Sequence, residues 1–233
     1  MGVEQLMKVS ICGIQNDNDL QKVIQSDADA AGFLVGQVHQ SARFILPSTA
    51  HRLAAKLPPY ISPVLVTHLN TVDEIVEIID KSNIKCVQLH GKMAFDEIIK
   101  LREHFAETIQ IILATYIVDN SIPDNLDEIY PFINAILLDC FNREPGLIGS
   151  TENSQYMWSV GADFVRRCPA KVILGGGLNS DNIAEAIAKV KPYGVDACSG
   201  LRLPNSEECC IERCRNYVYN AKIAGFKISN EAL

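Results

Sequence analysis

Nothing in this sequence resembles a membrane anchor: no apolar run reaches the roughly 18 residues that a spanning helix needs. Basic clusters are also lacking. The net charge is -7 and the isoelectric point about 5.2, which excludes a general nucleic-acid binder working through a basic stripe. An acidic chain can still take an anionic ligand, through a local site of backbone N–H groups or single arginines. Met1–Met7 lacks a basic segment leading into an apolar one, so export is not expected. The eight cysteines (Cys12, Cys86, Cys140, Cys168, Cys198, Cys209, Cys210 and Cys214) are accordingly expected to be reduced thiols in a cytoplasm rather than a disulfide framework. Cys209, Cys210 and Cys214 have no CxxC spacing and no nearby histidine, so no metal site is expected. No Gly/Ser-rich linker or low-complexity stretch divides the 233 residues, and residues 1–233 read as one domain.

What is present is apolar material, 48% of the chain against 21% charged, enough for a large core. It falls into strand-length runs: Val9–Ile14, Ala31–Val35, Pro63–Leu69, Lys85–His90, Ile109–Ile117, Ala135–Cys140, Lys171–Leu174 and Gly194–Cys198. Each is nearly continuous, as strands covered on both faces should be. Helical spacing fills the gaps, as in Leu20-Val23-Ile24, Ile75-Val76-Ile78-Ile79, Ile98-Ile99-Leu101 and Ile183-Ala186-Ile187. Asp73, Glu74 and Glu77 read as the solvated face of the third helix. Asp181 and Asn182 stand where a helix begins, and a last helix is expected from about Ser206 to Ala221. Pro123 and Pro131 bracket a weak fifth helix. Eight strand–helix pairs predict an α/β fold, a single (β/α)8 TIM barrel rather than an open doubly wound sheet.

In such a barrel the active site lies at the C-terminal ends of the strands. That rule selects Cys12 on strand 1, Arg43 after strand 2, His90 on strand 4, Asp139 on strand 6, and the loops after strands 7 and 8. Gly175, Gly176 and Gly177, with Ser199 and Gly200, form two glycine loops on adjacent strands, where this fold binds phosphate. Asp139 ends the apolar run Ala135–Leu138, where desolvation would favour its protonated form. Cys12 reads either as a core thiol or as a base facing that acid. Arg43 suits a carboxylate, with a surface arginine as the plain alternative. His90 reads as a hydrogen-bonded structural histidine.

Taken together, these residues resemble the phosphoribosylanthranilate isomerase family of tryptophan biosynthesis. The resemblance runs from about Lys8 to Val218. It is carried by Ile11-Cys12-Gly13-Ile14, Ser41-Ala42-Arg43-Phe44-Ile45, Val87-Gln88-Leu89-His90-Gly91, Ile136-Leu137-Leu138-Asp139, Ile173–Asn179 and Gly194–Gly200. It implies Cys12 as general base and Asp139 as general acid, with Arg43 on the substrate carboxylate. It places phosphate on Gly175–Gly177 and Ser199-Gly200, Asp196 near the substrate, and Gln88 and His90 in support. The implied reaction is an Amadori rearrangement of a phosphorylated small molecule, with no cofactor, because the substrate's own imine is the electron sink. A cytoplasmic monomer or homodimer is expected.

The chain also departs from the family pattern. Ser10 replaces a lysine, Gln15-Asn16 replaces Thr-Arg, and Leu201-Arg202 replaces Val-Glu. Asn205-Ser206-Glu207 replaces a Gly-Lys-Asp motif, and Ser150-Thr151-Glu152-Asn153 stands where the family has a glycine-rich stretch. Gly146 and Gly149 lie upstream of it. Two other functions stay open on sequence alone: another phosphate-binding sugar isomerase or epimerase, and a non-catalytic ligand-binding paralogue. If Cys12 is the base, it needs a thiol pKa lowered toward neutrality, and Asp139 as acid needs to stay protonated.

Overall fold

The computed structural model describes residues 6–36, 43–117, 121–122, 124–140 and 151–231. Eight parallel strands close on themselves in chain order. They are β1 (Lys8–Ile11), β2 (Ala30–Leu34), β3 (Ser62–Thr67), β4 (Cys86–Leu89), β5 (Gln110–Tyr116), β6 (Ala135–Asp139), β7 (Lys171–Gly175) and β8 (Gly194–Ala197). β1 pairs with β8 over Lys8↔Gly194 to Ile11↔Ala197, which shuts the ring.

Successive side chains of a strand point to opposite faces, and the sequence uses both. One set fills the barrel interior: Cys12, Val64, Val66, Ile112, Ala114, Ala135 and Leu137, with Ile173 and Cys198 against them. These are small or branched, as the confined interior of an eight-stranded barrel requires. The other set, including Val9, Ile11, Leu65, Ile111 and Ile136, packs outward against helices.

Seven α-helices are present among the described residues: α1 (Asp17–Gln25), α2 (Pro47–Ala54), α3 (Val72–Ser82), α4 (Phe95–Phe105), α5 (Thr151–Arg167), α6 (Ile183–Val190) and α7 (Ile211–Glu231). α1 starts because Asn16 caps it, its side chain accepting from Asp19 N at 2.9 Å. α3 stops at Asn83, which takes the left-handed conformation at φ 54°. Asn179 Oδ1 accepts from the N–H groups of Asp181 and Asn182 and so turns the chain into α6.

Three expectations are corrected. Between β5 and β6 the expected helix is two short 3-10 turns, Asp124–Glu128 and Tyr130–Phe132. Buried Arg102 holds the second, donating to Phe132 O at 3.0 Å and Asn134 Oδ1 at 2.7 Å. The last helix starts at Ile211 rather than Ser206 and reaches Glu231, because Leu203–Glu208 is a loop closed by the Arg202↔Cys209 bridge. The substituted stretch at 150–153 is not wholly loop, since Thr151 begins α5. Ser150, Gly146 and Gly149 lie outside the described residues, as do Ser41 and Ala42.

Candidate active site

Strand alternation assigns the rim. On β6, Ala135 and Leu137 face the interior, so Asp139 does too; on β3, Val64 and Val66 carry His68 with them. By the same step β4 presents Gln88 and His90, β5 presents Tyr116, β1 presents Cys12, and β8 presents Cys198. Around the ring, Arg43 after β2 is followed by Cys12, then Cys198 and Ser199-Gly200 after β8. Gly176-Gly177 after β7 and Asp139 on β6 come next. The two glycine loops thus occupy the arc between the acid and base candidates.

Those loops touch. A Cβ on Gly200 would lie 2.2 Å from Leu178 O, so only glycine lets the segment after β8 sit against the one after β7. Gly176 and Gly177 turn at φ 85° and 67°, whereas Gly175 is the last residue of β7, paired with Asp139. Of the glycine triplet, two residues form the turn and one belongs to the strand.

Asp139 is 4% exposed. His90 Nε2 lies 3.8 Å from its Oδ2, and Gln88 Nε2 lies 3.1 Å from His90 Nδ1. Burial lowers the pKa of His90 and the Asp139 charge opposes this, so the ring is neutral. With Gln88 donating to Nδ1, the ring proton sits on Nε2 and faces Asp139. Tyr116 hydroxyl donates to His90 O at 2.6 Å, and the His68 and Tyr116 rings flank His90 at 5.3 and 5.8 Å. His68 and Tyr116 were missed in the sequence, although their parity with Val66 and Ala114 marks them as rim residues.

Cys12 is 5% exposed and its N–H donates to Ala197 O at 2.9 Å. Its environment differs from the expected one. The hydrogen bond to Cys198 is the main influence and burial the next, and both push the Cys12 thiol up. Cys198 moves the other way, down to about 6, because Cys12 donates to it and Arg202 and Arg43 stand beside it. The lowered thiol of the pair is therefore Cys198, not Cys12.

Arg43 Nη1 is 3.8 Å from Cys198 Sγ, and Arg43 Nε meets Glu207 Oε2 at 2.5 Å. Arg202, 3% exposed, is the larger surprise. It pairs with buried Asp19 at 3.3 Å, and donates to Cys12 O at 3.0 Å, to Gly13 O and to Glu207 O at 2.9 Å. Asp19 in turn accepts from Cys209 N and Gln15 N. This pair straps the end of β1 to the loop before α7. A Cβ on Gly13 would lie 2.7 Å from both Arg202 Nη2 and Cys198 Sγ. Gly13, at φ 81°, is therefore what lets the strap close.

Asp196 lies one layer below the rim, paired in register with Ser10 and hydrogen-bonded to it. Burial pushes its carboxyl up to about 7. No group of three or more His, Cys, Asp or Glu side chains placed to hold a metal occurs among the described residues.

The family model for N-(5'-phosphoribosyl)anthranilate isomerase matches residues 9–202. The chain is 35% identical over 227 residues to N-(5'-phosphoribosyl)anthranilate isomerase 2 of Methanosarcina mazei, covering 97% of this chain and 99% of the relative. It is 31% identical to the corresponding isomerase of Trichlorobacter lovleyi, covering 94% and 100%. The crystal structure of phosphoribosyl anthranilate isomerase from Thermotoga maritima superposes with a TM-score of 0.78 at 29% identity, covering 93% and 99%. Another crystal structure of such an isomerase, in complex with reduced 1-(o-carboxyphenylamino)-1-deoxyribulose 5-phosphate, superposes at 0.74 with 28% identity over 93% and 99%. No described helix is long and apolar enough to cross a membrane. On the shared barrel, the matching model and the near-complete coverage of its relatives, this chain belongs to the phosphoribosylanthranilate isomerase family.

Proposed function

We propose that this chain carries out the Amadori rearrangement of N-(5'-phosphoribosyl)anthranilate at the barrel mouth, with Asp139 as acid and Cys12 as base. The observation that carries these roles is the order of groups on the rim: carboxyl, glycine loops, thiol and guanidinium occupy one continuous arc from β6 to β2. A substrate with phosphate at one end and carboxylate at the other spans that arc with its sugar between the acid and the base.

Gly176, Gly177, Ser199 and Gly200 hold the phosphate through backbone N–H groups, and Gly175 ends the strand that leads into their turn. Arg43 takes the anthranilate carboxylate with its fork of donors. Asp139 protonates the ribose ring oxygen, and the ring opens to a Schiff base. Cys12 then removes the proton from C2′, and the enolamine that results tautomerises to the ketone. Gln88 fixes the tautomer of His90, which orients Asp139. Asp196 supports the thiol layer from beneath. The reading carries with it one domain over residues 1–233, a cytoplasmic setting, and a monomer or homodimer.

Loss of anthranilate fluorescence from freshly made substrate tests the reading. Wild-type protein should turn it over, and Cys12→Ala and Asp139→Asn should each lose about 10²-fold or more in kcat with little change in KM. A nearly normal kcat in either variant moves the chemistry to other residues.

A further inference from the structure

The rearrangement leaves one rim group without a task, the thiol of Cys198. Register places it. Ser10 pairs with Asp196 and Ile11 with Ala197, so the next step up the β1–β8 seam sets Cys12 beside Cys198. Both side chains belong to the interior cluster, directly above the Ser10–Asp196 layer. The two thiols are thus neighbours, and each governs the titration of the other. Two guanidiniums close on the same sulfur: Arg43 Nη1 at 3.8 Å, and Arg202, whose Nη2 lies with Cys198 Sγ over Gly13. Arg202 is held there by Asp19 and by the carbonyls of Cys12, Gly13 and Glu207. The charged and titratable groups facing the pair are therefore Arg43, Arg202 and, from beneath, Asp196, with Asp139 across the mouth.

Resting on the assignment of Cys12 as the base, we propose that Cys198 is a positioning residue for it, taking the proton of Cys12 and so placing the thiolate on the sulfur that meets the substrate. In the resting site the proton lies on Cys12 and the negative charge on Cys198, between the two arginines. The proton then crosses: the S–H bond of Cys12 breaks, one forms on Cys198, and the net charge of the pair is unchanged. Cys12, now a thiolate, takes the C2′ proton. The pair then holds one proton more than at rest, the equivalent of the one Asp139 gave to the ring oxygen. Its return to Asp139 resets the site.

The test compares wild type, Cys198→Ser and Cys12→Ser as intact proteins. Ultraviolet thiolate absorbance and residue-mapped iodoacetamide labelling are followed against pH. Cys209 and Cys214, a separate pair of free thiols, are common to all three proteins and cancel in the differences. In wild type one thiolate should form at about pH 6, because Cys12 lies against Cys198 and Arg202 and Arg43 stand beside it. It should persist in Cys12→Ser and vanish in Cys198→Ser, where burial keeps the first rim thiolate from forming until above the ordinary thiol value of about 8.5. The acid limb of kcat/KM in Cys198→Ser should move up by more than about 2 pH units with KM nearly unchanged, and activity should still be rising at about pH 9. A low-pH thiolate retained in Cys198→Ser overturns the proposal. So does an acid limb that stays put while activity falls equally at every pH, which is the signature of a packing role. If wild-type protein does not turn over the substrate, the base assignment fails, and the thiolate titration still decides whether the pair shares its proton.

Discussion

Arg43 already holds a carboxylate, that of Glu207, with Nε and Oε2 2.5 Å apart at the rim. Any substrate carboxylate read by Arg43 has to displace it. Glu207→Gln should therefore lower KM for the carboxylated substrate by about 2–5-fold and leave kcat nearly unchanged, the range expected for losing one half-exposed ion pair. Steady-state kinetics at low salt measure this, and an unchanged or higher KM would show that Glu207 does not compete.

Removing the arginine should act in the opposite direction. Arg43→Leu should weaken binding by about 2–5 kcal/mol, because the substrate carboxylate is left without its partner. The same variant should show far less loss toward an analogue with aniline in place of anthranilate. Equal losses on both compounds would mean that Arg43 does not read the carboxylate.

The strap between Arg202 and Asp19 should matter more for stability than for affinity. Both side chains are buried, at 3% and 0% exposure, and breaking such a pair leaves one charge uncompensated. Asp19→Ala should cost about 3–5 kcal/mol in urea unfolding. It also removes the acceptor for Cys209 N, so the loop before α7 should exchange its amide protons faster. A loss under about 1 kcal/mol would show that the pair is solvated in solution.

Asp196 gives a pH signature. Its folded pKa is about 7 against 3.8 for the free side chain, so the native state binds the proton more tightly than the unfolded state. Its contribution to stability is full below about pH 4 and is lost as pH rises toward about 7. The whole shift corresponds to about 4 kcal/mol, and partial solvent access reduces it to about 2 kcal/mol. Asp196→Asn should flatten the fall in stability between about pH 4 and 6 relative to wild type. Identical slopes in the two proteins would remove Asp196 from the account.

Much of this arrangement could be read in the sequence. The apolar runs located all eight strands, because strands buried on both faces leave an unbroken hydrophobic record. The rule for strand ends then gave Cys12, Asp139 and the glycine loops. Boundaries were less legible. The first run extends to Ile14, yet β1 stops at Ile11, because Gly13 turns the backbone to positive φ. Partnership was least legible. Asp19 sits on an amphipathic helix, where a carboxylate normally faces water, and only the fold brings Arg202 to it. Cys198 was one thiol among eight until the register set it beside Cys12. His68 was readable by alternation from Val64 and Val66, and Tyr116 from Ile112 and Ala114, since each shares a strand face with them.

The strap has a further consequence for how the site comes into being. Arg202 and Asp19 are 183 positions apart, and β1 finds its second neighbour only in β8. During synthesis the proposed base is made long before the carbonyl that receives its N–H. Loop closure over such a span is entropically slow and brings no reward until the final strand docks. The rim is therefore incomplete until that strand docks. A nascent chain that has completed seven strands already contains Cys12, Arg43 and Asp139, but it has nothing to hold them at a common mouth. The site is complete only when the last strand closes the ring and Arg202 engages Asp19.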